Sequence, residues 1–272
     1  MSLSRMIIGT NWVFGWSHTG AAADCLIRKR NHSAEIIADM LEVFLKAGVD
    51  TIMGPLSTQP MGHKAMALAE ERTGKKLIRI DTPIINVDDT AAARREAEEA
   101  FAESKKYGAD FCLIHHSSSE ELVDKNKRTM PRLPDYLAMI RDHGMIPGLS
   151  AHMPELILYP DQQGYDVETY IQIYNCLGFL MQVEVETVNR IIWNAKKPVM
   201  TIKPMAAGRC TPFVGLNFAW NTIRPQDMVT VGCLSAEEAA EDIEISLAAL
   251  ERRAPKLEGR GSPNKKTAVL SE

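Results

Sequence analysis

The sequence has few cysteines and no motif that pairs them. Its five cysteines are an odd number, and no two stand in a Cys-x-x-Cys arrangement. Free thiols in a reducing compartment are therefore favoured over a disulfide framework. No apolar run approaches the roughly 20 residues that span a bilayer, and the first apolar stretch is too short for a signal peptide. We expect a cytoplasmic protein with no membrane partner.

Basic residues are not in excess either. The chain of 272 residues has 31 Lys and Arg against 35 Asp and Glu, which gives a formal net charge of -4. A nucleic-acid binder normally carries a basic balance or a basic stripe, so no nucleic-acid partner is expected. Hydrophobic residues make up 45% and charged residues 24%, as in an ordinary soluble globular protein. The composition leaves the oligomeric state open.

What the sequence does contain is an alternation of short apolar runs with longer amphipathic stretches, repeated eight times. Runs that are apolar throughout are typical of parallel strands covered on both faces. The stretches between them predict helices, and one carries Ile37, Met40, Leu41 and Phe44 on a single stripe. The predicted strands span residues 6–13, 50–54, 77–81, 110–115, 145–150, 170–174, 199–203 and 228–232.

Glycines mark the ends of the predicted helices. Gly48, Gly74, Gly108 and Gly144 each stand a few residues before a strand, where a left-handed helix cap is needed. Eight strand–helix units predict an α/β protein that closes into a (β/α)8 TIM barrel, and an open doubly wound sheet is the alternative. We assign residues 1–256 to a single barrel domain and residues 257–272 to a loosely ordered C-terminal tail.

The active site of a TIM barrel is built at the carboxyl ends of its strands. Polar and titratable residues are dense at those predicted ends, which indicates an enzyme because buried ionisable groups are costly without a role. We therefore expect a small-molecule substrate at this end of the barrel. The candidates for substrate contact are Trp12, Trp16, His18 and His152, and the candidates for catalysis are Asp81, His115 and Lys203.

The loops after the seventh and eighth strands predict an anion site. They contain Gly208, Arg209 and Gly232, and small residues let backbone N–H groups approach a phosphate at the start of the last helix. Arg209 could add a bidentate guanidinium. The alternative is a tight turn with a surface arginine.

Several of these segments resemble aldo-keto reductases. ADFCLIHH is similar to the family's fourth strand, in which His115 matches the catalytic histidine. PGLSAHMPELI resembles its fifth-strand motif, in which Ser150 matches a residue that holds the nicotinamide carboxamide. QIYN resembles its sixth-strand segment, with Tyr174 at the stacking tyrosine and Asn175 beside it. KPMAAGRC and MVTVGCLSAEEAAEDI follow its closing pattern. The resemblance covers roughly residues 105–250 and implies an aldo-keto-reductase-like barrel that binds NADP(H).

The chain departs from that family in its catalytic set. The family uses an aspartate, a tyrosine, a lysine and a histidine. Here the second strand and its loop read DTIMGPLSTQPMGHK, without the tyrosine or a terminal aspartate, and the third strand ends in Asp81 and Thr82 instead of the lysine. Three of the four roles are therefore unfilled, and the resemblance does not imply the family's standard mechanism.

Lys203 and the histidines suggest other chemistry. A lysine that ends an apolar strand can form a Schiff base, bind an anion or pair with an acid, and Asp81 is the acid we expect beside it. His115 could be a general acid or an oxyanion donor. His18, His115 or His116, His152 and Asp81 could hold a metal ion, but no spacing demands it and we predict no metal.

These observations predict a small-molecule enzyme on an aldo-keto-reductase-like barrel, with an anion or nucleotide held after strands seven and eight. The first hypothesis is a divergent NADP(H)-linked carbonyl oxidoreductase. The second is a lyase or aldolase that uses Lys203 as a Schiff-base nucleophile. The third is a barrel that binds a ligand without catalysis.

Overall fold

Eight parallel strands close into a barrel in the computed structural model, which describes residues 1–257. The strands pair in sequence order, and the eighth pairs with the first. The predicted TIM barrel is therefore confirmed, whereas the predicted tail lies, apart from Leu257, outside the described residues. The strands are β1 (Met6–Gly9), β2 (Thr51–Gly54), β3 (Ile78–Asp81), β4 (Phe111–Ile114), β5 (Ile146–Ala151), β6 (Thr169–Ile173), β7 (Val199–Ile202) and β8 (Met228–Val231).

Helices surround the barrel and fill its longer loops. Among residues 1–257 no helix is both long enough and apolar enough to cross a bilayer. The helices are α1 (Asn11–Phe14), α2 (Ala21–Arg30), α3 (Ala34–Lys46), α4 (Pro60–Thr73), α5 (Ala91–Lys106), α6 (His116–Ser119), α7 (Leu133–Asp142), α8 (Glu155–Gln163), α9 (Val185–Asn194), α10 (Pro212–Thr222) and α11 (Ala236–Glu251), with 3₁₀ turns at Leu56–Thr58, Glu120–Leu122 and Ala206–Gly208.

The predicted helix ends are confirmed by the backbone. The four glycines that precede strands all adopt left-handed conformations, with φ between 68° and 85° (Gly48, Gly74, Gly108 and Gly144). Ser235 caps α11 by accepting the N–H of Glu238. These local signals need no tertiary contacts, which is why they can be read from sequence.

The first strand is shorter than predicted. It was expected to run to Val13, but it ends at Gly9, and the carbonyl of Thr10 accepts the N–H groups of Val13 and Phe14 at 2.9 and 3.0 Å. The segment that follows, up to Asn31, contains α1 and α2. Val13 is buried in the outer core although it lies outside the strand. Sequence alone does not distinguish an apolar residue buried in this way from one that belongs to a strand.

Two apolar layers follow from the alternation of side chains along each strand. The outer layer packs the strands against the helices and includes Ile8, Cys112 and Val229. The inner layer fills the barrel with Ile7, Met53, Ile80, Phe111, Leu113, Ile171, Met200 and Met228. The inner layer fills the barrel below the carboxyl ends of the strands.

Candidate active site at the carboxyl end of the barrel

A cavity of about 1180 Å³ opens at the carboxyl ends of the strands. Its floor includes Met53, Ile171 and Ile202, which belong to or pack against the inner apolar layer. All but three of the site residues predicted from sequence line it, namely Trp12, Trp16, His18, His115, Ser150, His152, Lys203, Gly208, Arg209 and Gly232. The cavity exceeds the roughly 300–1,000 Å³ of most ligand pockets, and it has room for a cofactor together with a substrate.

Asp81 is one of the three predicted residues that do not line the cavity. Its carboxylate accepts the hydroxyl of Ser104 at 2.6 Å and the backbone N–H of Ser57 at 3.2 Å. Ser104 lies on α5, so Asp81 links the barrel to its outer helix layer. Ile80 belongs to the barrel interior, and alternation therefore turns the next side chain outward. Asp81 is not available for the catalytic role predicted from sequence.

Tyr174 and Asn175 are the other two. The hydroxyl of Tyr174 donates to Thr222 Oγ1 at 3.0 Å and accepts from Asn189 Nδ2 at 2.8 Å, so it too faces the outer helices. Asn175 accepts the N–H of Phe179 and donates to the carbonyl of that residue, and it thereby shapes its own loop. Neither side chain lines the cavity, and the predicted contact of either with a cofactor has no geometric support.

Lys203 is brought into the cavity by an unusual backbone conformation. Ile202 packs against the inner layer, so alternation alone would turn Lys203 outward. Its φ of 58° is left-handed and breaks the alternation at that point. Within residues 1–257 Lys203 forms no ion pair with an acid, and Asp81 is not its partner as had been expected. Burial lowers the pKa of Lys203 from 10.5 to about 8.

Three histidine rings lie in contact beside this lysine. His116 stacks on His152 with ring centroids 3.8 Å apart, and His115 lies 4.3 Å from His116. Burial lowers the pKa of His152 to about 2 and that of His115 to about 4, and the charge of Lys203 adds to both shifts. Both rings are therefore neutral at pH 7, and Lys203 is the charged group among them.

Hydrogen bonds determine which nitrogen of His115 carries the proton. His115 caps the short helix α6 by accepting the N–H of Ser117 at Nδ1, and the Ser117 hydroxyl lies 2.8 Å from the same nitrogen. A neutral ring whose Nδ1 accepts must carry its proton on Nε2. Because His115 lines the cavity, this N–H can donate to an oxygen of a bound molecule.

Glu120 was not singled out in the sequence. Its Oε1 accepts the backbone N–H groups of His152 at 2.7 Å and Met153 at 3.1 Å, so it holds the loop after β5 against the loop after β4. It stands four residues after His116, and this spacing places two side chains on one helical face. The spacing of His116 and Glu120 in the segment HSSSE therefore already indicated that these two side chains lie together. The pair was overlooked because the sequence contains no H-x-H motif.

The loop after β7 has a strained backbone. Ala206, Ala207 and Gly208 follow one another with φ of 50°, 55° and 82°, and such conformations in non-glycine residues concentrate at functional sites. The guanidinium of Arg209 lies 3.9 Å from the ring centroid of Phe179 and donates to the carbonyl of Ala206 at 3.2 Å. The loop therefore presents an arginine of fixed orientation at the rim of the cavity.

The aromatic residues predicted to contact substrate follow β1, and Trp12 stands beside the loop after β7, since a Cβ atom on Gly208 would lie 4.0 Å from its Cζ2. A Cβ atom on Gly232 would lie 3.3 Å from Cδ1 of Trp12, so Trp12 packs on the loop after β8. Trp16 is more exposed. His18 Nε2 lies 2.9 Å from Nδ2 of Asn11, which fixes this imidazole over the cavity mouth.

All five cysteines are free thiols in the structure, as predicted. The closest pair is Cys176 and Cys210, whose sulfur atoms lie 3.6 Å apart in the loops after β6 and β7. Cys210 lines the cavity, but burial and its neighbour raise its pKa to about 11. It is therefore protonated at neutral pH and is not an activated nucleophile.

Comparison with known proteins identifies the fold. No family model and no curated protein matches the sequence. A structure described as an aldo-keto reductase from Pseudomonas aeruginosa is 16% identical, with a TM-score of 0.63 over 92% of each chain. An aldo-keto reductase from Klebsiella pneumoniae in complex with NADPH is 15% identical, with a TM-score of 0.55 over 93% of this chain and 87% of that one.

Barrels with other chemistry are also similar. Orotidine 5'-monophosphate decarboxylase from Methanocaldococcus jannaschii is 17% identical, with a TM-score of 0.52 over 90% of this chain and 99% of that chain. The chain therefore has the barrel fold of the aldo-keto reductases and resembles them remotely, as predicted. At such identities the likeness concerns the fold, and the function must be argued from the site.

Proposed function

We propose that this protein is an NADP(H)-linked carbonyl oxidoreductase in which Lys203 provides the proton that aldo-keto reductases take from a tyrosine. The observation that carries the proposal is an ammonium without an acid partner among the described residues, in the same cavity as the neutral imidazole of His115. Reduction of a carbonyl requires a hydride at carbon and a proton at oxygen. A single positive group beside the reacting oxygen supplies the second requirement.

The proton balance suits this role. With a pKa of about 8, Lys203 is mostly protonated at pH 7, yet it gives up its proton far more readily than an exposed lysine. The hydride would come from the dihydronicotinamide, and the proton would pass from Nζ to the alkoxide oxygen. His115 would donate its Nε2–H to the same oxygen as a neutral hydrogen-bond donor, which retains the family's histidine at the position where the sequence resembles it.

The nucleotide would lie across the loops after β7 and β8. Gly208, Arg209 and Gly232 line that side of the cavity, and Ser150 lies at the end of β5, where the resemblance places a contact to the carboxamide. The similar barrel from Klebsiella pneumoniae was solved with NADPH. Arg209 favours the 2'-phosphate of NADPH, whereas the carboxylate of Glu238 on the same side favours the 2'-hydroxyl of NADH, so both nucleotides belong in the test.

Tryptophan fluorescence provides a direct assay, because Trp12 packs against the loop after β8. NADPH should quench it, and Trp12→Phe should remove most of the quenching. Arg209→Ala should weaken NADPH binding about 10-fold, the loss of roughly one charge-assisted hydrogen bond. The exposed Arg95, on α5, provides the matched control Arg95→Ala, which should not change the affinity.

Turnover separates binding from chemistry. Lys203→Met should keep NADPH binding and lose carbonyl reduction at saturating substrate. If neither NADPH nor NADH binds at millimolar concentration, the oxidoreductase proposal is wrong.

The lowered pKa of Lys203 favours a second candidate function, an imine-forming lyase or aldolase. Roughly a tenth of the amine is neutral at pH 7 when the pKa is about 8, and a neutral amine attacks a carbonyl carbon. Borohydride with a carbonyl substrate would trap the imine as a secondary amine at Lys203, and mass spectrometry would locate it. Trapping without nucleotide binding would favour this candidate. NADPH binding without trapping would favour the oxidoreductase.

A further inference from the structure

Three side chains of residue types that can ligate a metal ion meet at the rim of the cavity. One nitrogen each of His116 and His152 and one carboxylate oxygen of Glu120 all lie within 4.8 Å of one another. The three residues are partly buried, and both imidazoles line the cavity. The group is distinct from the residues that carry the proposed function, and it includes neither Asp81 nor His18, two residues considered from sequence.

Glu120 is held in an orientation that suits a ligand. Its Oε1 accepts two backbone N–H groups at the start of the loop after β5, at 2.7 and 3.1 Å. When hydrogen bonds hold one oxygen of a carboxylate, the other oxygen stays free to bind an ion and its position is fixed. Hydrogen bonds outside the coordination shell of a metal orient its ligands in this way. The same bonds tie Glu120 to the backbone of His152, so two of the three ligands move as one unit.

The ligand set defines the class of ion. Two imidazole nitrogens and one carboxylate suit Zn²⁺ and neighbouring transition metals, whereas Ca²⁺ and Mg²⁺ require oxygen ligands. Bonds of about 2.1 Å in a tetrahedral site place donor atoms about 3.4 Å apart, which is closer than the present spread of up to 4.8 Å. Binding would therefore rotate the rings of His116 and His152 out of their stack, now tilted by 18°.

We propose that His116, Glu120 and His152 bind one divalent transition-metal ion, with Zn²⁺ preferred, and that its open coordination position faces the cavity. Three protein ligands with a fourth position left to water or substrate are typical of catalytic rather than structural zinc sites. The proposal replaces the expectation from sequence that no metal is bound. It does not depend on the proposed reductase activity, since the two concern different residues.

Metal titration of the full-length chain tests the site. After treatment with chelator, the protein should take up one equivalent of Zn²⁺ with micromolar or better affinity, measured by calorimetry. Co²⁺ should give visible absorption bands of a four- or five-coordinate ion. His116→Gln and His152→Gln should each weaken binding by at least about 10-fold, since loss of even an outer-shell partner costs that much. NMR signals of both rings should shift on binding.

Glu120→Gln is the decisive variant. Its amide oxygen can still accept the two backbone N–H groups, so the fold should be preserved while the anionic ligand is lost. Circular dichroism checks the fold, and affinity should fall at least about 10-fold. The exposed His32 provides the control His32→Gln, which should bind as the native chain does. Cys176→Ser excludes the nearby thiol pair as the ligand.

Three results would overturn the proposal. One is the absence of saturable uptake at micromolar Zn²⁺ and Co²⁺. Another is native-like affinity in folded Glu120→Gln and His152→Gln. The third is a thiolate-to-cobalt charge-transfer band that disappears in Cys176→Ser.

Discussion

Replacing Lys203 by methionine should stabilise the fold while removing the proposed activity. The ammonium is held in the cavity without an ion-pair partner among the described residues, and burial lowers its pKa from 10.5 to about 8. At 1.36 kcal/mol for each pH unit, this change corresponds to about 3 kcal/mol. Water at the cavity mouth screens part of that cost, so we expect Lys203→Met to raise the free energy of unfolding by about 1–3 kcal/mol at pH 7.

The pH dependence gives this prediction a definite sign. Below pH 8 the lysine is protonated in both states, and the native state bears the full cost of burying the charge. Between about pH 8 and 10.5 the unfolded chain binds more protons than the native one, so the stability of the native sequence rises with pH. The advantage of Lys203→Met should therefore be complete at pH 7 and should vanish near pH 10.5.

Thermal and urea unfolding measure the difference. A chain of this size gains about 2–4 °C in Tm for each kcal/mol. Methionine keeps most of the apolar stem, so packing should change little. The exposed Lys64 provides the control Lys64→Met, which should shift neither quantity. If Lys203→Met instead destabilises the protein at pH 7 by several kcal/mol, the ammonium has a partner that stabilises it, and the argument from unpaired burial is wrong.

Three further predictions concern the scaffold. Gly54→Ala would place a Cβ atom 1.8 Å from Oγ1 of Thr10, whose hydroxyl donates to the carbonyl of Met53. Urea unfolding should show that the free energy of unfolding falls by about 1–3 kcal/mol. Adding Thr10→Ala to the same chain should recover part of that loss. Asp227→Ala should lower the free energy of unfolding by about 3–5 kcal/mol, because Arg224, bound to that carboxylate at 2.7 and 2.8 Å, would remain buried without it. A loss below 1 kcal/mol would show that this pair does not stabilise the barrel. Tyr174→Phe should cost about 1 kcal/mol through its lost hydrogen bonds and leave NADPH quenching unchanged, whereas a weakened quench would return Tyr174 to the site.

The barrel could be predicted because its signals are local and repeated. Eight apolar runs, each followed by a helical stretch, leave little choice of architecture once parallel pairing is assumed. The helix caps at Gly74 and Gly144 depend on the backbone alone. The failure at β1 has the opposite cause, since Val13 takes its apolar character from tertiary packing.

The site was harder to predict because the sequence of an apolar strand does not show which of its side chains face the barrel interior. When both faces are buried, Asp81 and Tyr174 give no sign of facing the outer helices, and the register that decides it comes from pairing around the whole barrel. Glu120 was missed for a related reason. Its partner His152 lies 32 residues away, and only the closure of the barrel brings the loops after β4 and β5 together.

The backbone at Lys203 connects the fold to the proposed chemistry. A left-handed residue with a Cβ atom costs roughly 1–2 kcal/mol, and three such residues, Lys203, Ala206 and Ala207, lie within five positions of one loop. Glycine at any of them would relieve the strain. At Lys203, however, glycine would remove the ammonium that the conformation turns into the cavity. Ala206 and Ala207 bear no functional group, so their strained conformations determine only the course of the loop that leads to Arg209. The stability lost along this loop is therefore best understood as the cost of placing one ammonium and one guanidinium at the same cavity.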